Sequence, residues 1–174
     1  MTVEIKDNLL NNKHLVEVDQ LINVVPGTND FPWYLQKEQV TGADDGSWFC
    51  HILYDEDVPK SDWYNPLINI FKNYLPQVTL VRVYVNLLLR QETPSISAFH
   101  TDCDFDYTEK MTTAIFYLNT NNGATEFKDG DRIDSIRNRL VMFPTNTPHR
   151  AIGQTDEFVR IILNFNFIKD GDGR

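Results

Sequence analysis

Residues 81–90 alternate strictly: the odd positions Val81, Val83, Val85, Leu87 and Leu89 are apolar, while the even positions hold Arg82, Tyr84, Asn86, Leu88 and Arg90. Successive side chains of an extended strand point to opposite sides, so this order sorts one apolar and one mostly polar face. Residues 160–167 repeat the pattern, with Ile161, Leu163, Phe165 and Phe167 on one side and Arg160, Ile162, Asn164 and Asn166 on the other. Two such strands commit the chain to a sheet whose apolar face must be covered by another layer. The polar face either meets water or lines a cavity, and alternation alone leaves both open.

Further β-rich runs lie near 79–90, 111–119, 139–143, 148–152 and 157–168, separated by Asn/Asp/Gly clusters at 119–123 and 128–131. Short strands joined by polar turns point to a sandwich, jelly roll or barrel. One helix is well signalled: Asn65 can cap it, Pro66 takes the first helical position, Leu67, Ile70, Phe71 and Tyr74 recur at helical spacing, and Pro76 stops it. Its apolar stripe suits the apolar face of the sheet. Residues 9–25 show no firm periodicity and receive no element; residues 26–30 read as a turn leading into Phe31-Pro32-Trp33-Tyr34. At 174 residues the chain is expected to form a single domain, 1–174, with a mixed helical and aromatic flank over 1–78, a β core over 79–168 and a frayed tail over 169–174.

Sixteen Lys and Arg face 25 Asp and Glu, a net charge of −9 that repels phosphate backbones and anionic headgroups. No nucleic-acid partner is expected. The apolar runs are too short for a membrane span, which needs ~20 residues, and Glu4, Lys6 and Asp7 break any secretory start. These features read as a cytoplasmic protein. Two cysteines, Cys50 and Cys103, make no disulfide framework, and a reduced interior is expected.

His100-Thr101-Asp102 sets an imidazole and a carboxylate at i and i+2, so on an extended segment both project from one face and can share a metal ion. His149 follows the strand-like Leu140-Val141-Met142-Phe143 and a Pro-containing turn, and can return a second imidazole to the same mouth. Two His and one carboxylate form a facial triad that leaves coordination positions open. Arg160 begins the polar face of the last strand, and its planar fork suits a carboxylate. Taken singly, each has an ordinary reading: solvated turn histidines and a surface ion pair.

Together, His100-Thr101-Asp102, residues 114–119, residues 123–127, Met142-Phe143-Pro144 before His149, and Arg160 resemble the Fe(II)/2-oxoglutarate-dependent oxygenases, in particular their prolyl-hydroxylase-like branch. The resemblance spans about half the chain, residues 79–168. It implies a mainly β fold, a double-stranded β-helix (jelly roll) with flanking N-terminal helices. It further implies iron held by His100, Asp102 and His149, with 2-oxoglutarate on the metal and its distal carboxylate on Arg160. Tyr117 matches a tyrosine that contacts that carboxylate in some relatives, and Asn86 resembles an asparagine that helps hold the co-substrate in others. The implied reaction uses O2 and converts 2-oxoglutarate to succinate and CO2 while hydroxylating a small-molecule or peptidyl substrate. Asp102 speaks against the halogenating relatives, which lack the carboxylate ligand. The chain departs from the pattern at Ala124, where relatives often have a second glycine, and at Ser97, where many have tyrosine.

Two other readings stay open: a non-catalytic jelly-roll binding or structural module, and a cupin-like metalloenzyme that does not use 2-oxoglutarate. Phe31, Trp33, Trp48 and Trp63 can wall a cleft or pack a core, and residues 91–97 and 102–109 can form a lid or remain solvated loops.

Overall fold

Strand-forming sequence runs through the whole chain. The computed structural model describes residues 2–22, 30–37, 46–75, 77–103 and 110–169. Among these the order is β1 (Glu4–Lys6), α1 (Asn12–Ile22), β2 (Tyr34–Gln36), β3 (Trp48–Asp55), β4 (Val58–Pro59), α2 (Tyr64–Phe71), β5 (Val78–Leu89), β6 (Met111–Tyr117), β7 (Ala124–Phe127), β8 (Arg132–Asp134), β9 (Arg139–Pro144), β10 (His149–Ile152) and β11 (Val159–Lys169). A large antiparallel sheet runs β1-β9-β6-β11-β5-β3-β2, with β4 against β3, and a small sheet runs β10-β7-β8. Bridges Ile96↔Ile152 and His100↔His149 lay residues 95–100 along the other edge of β10. The fold is mainly β, two sheets face to face in a jelly roll.

Strand β11 sits between β5 and β6, and its two faces do different work. Ile161, Leu163, Phe165 and Phe167 enter the main core with Val83, Val85 and Leu87 of β5, covered by Leu15, Val18 and Ile22 of α1 and Leu67, Ile70 and Phe71 of α2. Each fully buried side chain of this kind contributes about 1.5–3 kcal/mol. The opposite face looks toward the small sheet, where Ile115, Tyr117, Phe127, Val141, Phe143 and Ile162 form a second apolar cluster.

The alternation of β5 fails at one place. Pairing steps from Asn166↔Arg82 to Phe167↔Leu80, so Val81 is the extra residue of a bulge. It packs with Cys103, Met111 and Ile168 rather than in the main core expected for it.

Helix α2 also begins earlier than its Asn-Pro signal indicates. Trp63 occupies the cap position and offers no side-chain hydrogen bond, while Ser61 Oγ accepts the Trp63 N–H at 3.2 Å, so Asn65 is not the cap. Trp63 and Tyr64 pack against the core, which draws the chain into the helix ahead of Pro66. Helix α1 went unassigned because Val16 and Leu21 blur its stripe, yet Leu15, Val18 and Ile22 are buried, and Asn11 caps it by accepting the His14 N–H at 2.9 Å. The N-terminal third, read as a helical and aromatic flank, also supplies β1, β2, β3 and β4 to the large sheet.

Residues 95–97 are not a free lid. Gly153 N–H donates to Ser95 O, and Ser97 exchanges two hydrogen bonds with Ala151. The expected turn at 26–29, the stop at Pro76, the acidic stretch 104–109 and the tail beyond 169 lie outside the described residues. Cys50 and Cys103 are buried and unpaired with each other. No helix among the described residues is long and apolar enough to cross a membrane.

Phe71 is fully buried against Phe116 and Phe165, with ring centroids 5.1 and 5.0 Å away. Phe71→Ala is expected to lower stability by about 3–5 kcal/mol, whereas Val16→Ala, on an exposed position of α1, should stay within about 0.5 kcal/mol. Urea unfolding followed by circular dichroism checks both.

Candidate metal and anion site

The polar face of β11 lines a small cavity of about 70 Å³ between the two sheets. His100, Asp102, His149, Arg160 and Asn86 all line it. Alternation puts Arg160 on the same side as Asn164 and Asn166, and β5 contributes Asn86 opposite Ile162.

The two histidines are held by the same device. His100 and His149 exchange backbone hydrogen bonds of 2.9 Å across neighbouring strands. Two residues before each, a carbonyl receives the ring Nδ1: Ala98 O at 3.1 Å for His100 and Thr147 O at 3.0 Å for His149. A carbonyl only accepts, so both neutral rings carry their proton on Nδ1 and present Nε2 as a lone pair. Both Nε2 atoms face Asp102 Oδ1, at 3.9 Å for His100 and 3.5 Å for His149. The ligand atoms all lie within 4.8 Å of one another, the spacing that lets one metal ion touch all three.

Asp102 is 5% exposed at its side chain. Burial alone would raise its pKa; protonated His149, which donates a hydrogen bond and carries charge, the Asn166 amide and His100 overcome that and hold the carboxyl well below the usual carboxylate range. Its second oxygen, Oδ2, accepts from Thr113 Oγ1 at 2.9 Å, Asn164 Nδ2 at 3.1 Å and Asn166 Nδ2 at 2.9 Å. Arg82 donates to the Asp102 carbonyl and lies over the Tyr84 ring, 4.4 Å from its centroid. His149 is pulled down by burial but raised overall by the same carboxylate.

Arg160 is 2% exposed. Its Nε donates to Ser135 Oγ at 3.2 Å, and one terminal nitrogen donates to Ala124 O at 3.2 Å and reaches Thr125 Oγ1 at 3.5 Å. Among the described residues no carboxylate pairs with it; burial lowers its pKa and Tyr117 offsets this only in part. A guanidinium stays charged at any ordinary pH, so this is a buried cation with no counter-ion among the described residues. Tyr117 is not in the cavity wall. It lies behind Thr125, donating to its hydroxyl at 2.8 Å, with the Arg160 guanidinium 5.6 Å from its ring centroid. Asn86 is in the wall, and its Oδ1 is buried without a partner, as is Asn164 Oδ1.

Gly123 makes room for this arrangement, because a Cβ there would sit 2.8 Å from Arg160 Cδ, Asn121 Oδ1 and Ile152 O. Ala124, one residue on, is fully buried. Of the four aromatic candidates, Trp48 lines the cavity, while Phe31 packs against Trp33 and Trp63 at 4.9 and 5.4 Å. Thr113, Thr125 and Ser135 were not singled out from sequence; Thr113 was legible only through its register opposite Asn166.

The donor set fits a divalent cation: two imidazole nitrogens with fixed tautomers and one ionised oxygen, three ligands that leave further positions open. The same cavity offers an anion-seeking guanidinium.

No family model matches the chain, and no curated protein matches it in sequence. Solved structures do match. The epimerase SnoN, solved in complex with Fe3+, alpha ketoglutarate and nogalamycin RO, superposes with a TM-score of 0.63 at 12% identity over 99% of this chain and 82% of its own. A 2OG-Fe(II) oxygenase family oxidoreductase from Burkholderia pseudomallei gives 0.62 at 10% identity, covering 99% and 89%. The viral collagen prolyl hydroxylase of Paramecium Bursaria Chlorella virus-1, in its 2OG complex, gives 0.57 at 15% identity, covering 97% and 96%. The chain has the fold of the Fe(II)/2-oxoglutarate oxygenases.

Gly123→Ala would force a methyl group against a backbone carbonyl and the middle of the Arg160 side chain. It is expected to cost about 1–3 kcal/mol, measurable as a lower urea midpoint with an unchanged slope.

Proposed function

We propose that the chain is a non-haem Fe(II) dioxygenase that couples decarboxylation of 2-oxoglutarate to hydroxylation of a small-molecule or peptidyl substrate. The observation that carries this reading is one cavity holding both the His100, Asp102 and His149 cluster and a buried Arg160 with no carboxylate partner among the described residues. A lone metal site needs no such cation. A dianionic co-substrate needs one positive group at each end, and a protein of net charge −9 must concentrate positive charge to bind it.

His100 and His149 offer Nε2 because Ala98 and Thr147 hold their Nδ1 protons, and Asp102 offers Oδ1. Three protein ligands leave the remaining positions for co-substrate and O2. Arg160 receives the distal carboxylate, oriented by Ser135, Thr125 and the Ala124 carbonyl. Tyr117 supports that end indirectly through Thr125, and Asn86 closes the wall from β5. Bound Fe(II) with 2-oxoglutarate and O2 supplies the oxidising power: one oxygen atom enters the substrate C–H bond and the other enters succinate, with release of CO2. The apolar wall of Leu88, Ile115 and Ile162 limits water around the reacting centre. The neighbours' own names support the general kind of reaction and span more than one outcome, prolyl hydroxylation and epimerisation among them.

Titration of 2-oxoglutarate into the anaerobic Fe(II)-loaded protein should produce a visible metal-to-ligand charge-transfer band that saturates. Arg160→Ala should weaken that binding by about tenfold or more, the loss expected for a charge-assisted contact of ~1.5–3 kcal/mol. A metal-loaded protein that shows no band at any 2-oxoglutarate concentration favours a cupin-like metalloenzyme, and a protein that binds no metal favours a binding module. Succinate release should require both iron and 2-oxoglutarate and vanish in His100→Ala.

A further inference from the structure

Asp102 is the one candidate ligand that three strands of the large sheet hold by side chains. Thr113 comes from β6, Asn164 and Asn166 from β11, and Arg82 of β5 grips the Asp102 carbonyl. The first three donate to the same oxygen, Oδ2, while Oδ1 alone faces the histidines. An ionised carboxylate oxygen has about two lone pairs, so Oδ2 is saturated. Asn166 also donates its second N–H to Thr113 Oγ1 at 2.9 Å, and the Thr145 hydroxyl lies 3.0 Å from the same atom. Thr113 and Asn166 are almost wholly buried, so neither has water as a substitute partner.

A carboxylate can bind a cation through one oxygen or chelate it through both. Chelation here would require Oδ2 to leave its donors, stranding the Thr113 hydroxyl and an Asn166 N–H in a dry interior and taking from Asn164 its carboxylate partner. We propose that Thr113, Asn164 and Asn166 are positioning residues that hold Asp102 as a one-oxygen ligand, which keeps an additional coordination position free for exogenous molecules. This rests on the reading of His100, Asp102 and His149 as a metal centre, and it extends that reading to residues that act through Asp102.

The test uses the full chain and Co(II) alone as a spectroscopic probe. Wild type should bind one Co(II) per chain, and Asp102→Ala should abolish binding. Thr113→Val keeps the shape and deletes the donor, whereas Thr113→Ser restores it. Asn164→Ala truncates a side chain that borders the open cavity, so it leaves no sealed void. Thr113→Val and Asn164→Ala should each weaken Co(II) by about 10- to 100-fold, the usual effect of losing an outer partner of a metal ligand. Their visible and X-ray absorption spectra should show added oxygen coordination as Asp102 turns bidentate. Thr113→Ser should match wild type in both affinity and spectrum. Folded variants with wild-type affinity and spectrum overturn the proposal while the metal reading stands. Failure of wild type to bind Co(II) overturns both. If Thr113→Val does not fold, Asn164→Ala decides by the same two measurements.

Discussion

The register of β11 between β5 and β6 is the constraint on which the rest depends. In that register Ile161, Leu163, Phe165 and Phe167 fill the main core, Arg160 and Asn164 line the cavity, and Asn166 reaches the Asp102 carboxylate. A slip of one residue would exchange the two sets, burying a guanidinium among phenylalanines and emptying the site of its polar groups. Core and chemistry are therefore specified by the same eight residues. The helices reinforce this, because only the apolar face offers a surface for Leu67, Ile70 and Phe71.

The charges follow from that geometry. An acidic protein brings one carboxylate and one guanidinium to the same cavity; Asp102 faces the two histidines with Arg82 on its backbone carbonyl, and among the described residues no carboxylate pairs with Arg160. Asp102 is satisfied by neutral donors, Arg160 by a hydroxyl and a carbonyl. Neutral partners settle a buried charge without cancelling its field, so the cavity retains a negative and a positive end.

Much of this was readable before any coordinates. Period-two order located β5 and β11, whereas His100, Asp102, His149 and Arg160 each had an ordinary reading taken singly and were grouped only by the family resemblance. The polar face of β11 was visible too, but alternation could not say whether it met water or a cavity; that depends on the small sheet, formed by residues distant in sequence. Val81 was misassigned because a bulge is set by cross-strand pairing, not by composition. Helix α1 was missed because Val16 and Leu21 dilute a three-residue stripe, and Asn65 lost the cap because tertiary packing of Trp63 and Tyr64 outweighs a local propensity. Tyr117 is fully buried beside Arg160 and bonded to Thr125, a placement that depends on the small sheet and that pattern alone does not give.

The three candidate ligands do not share one support. His100 and His149 belong to the small sheet's edge, whereas Asp102 is fastened to strands of the large sheet. An ion coordinated by all three would act as a rivet through the sandwich, adding to the apolar packing and the Arg160 and Tyr117 hydrogen bonds that already join the layers. Loading would thus tighten the mouth mechanically, and amide exchange along β10 and residues 95–100 would slow while the helical side of the molecule stayed unchanged.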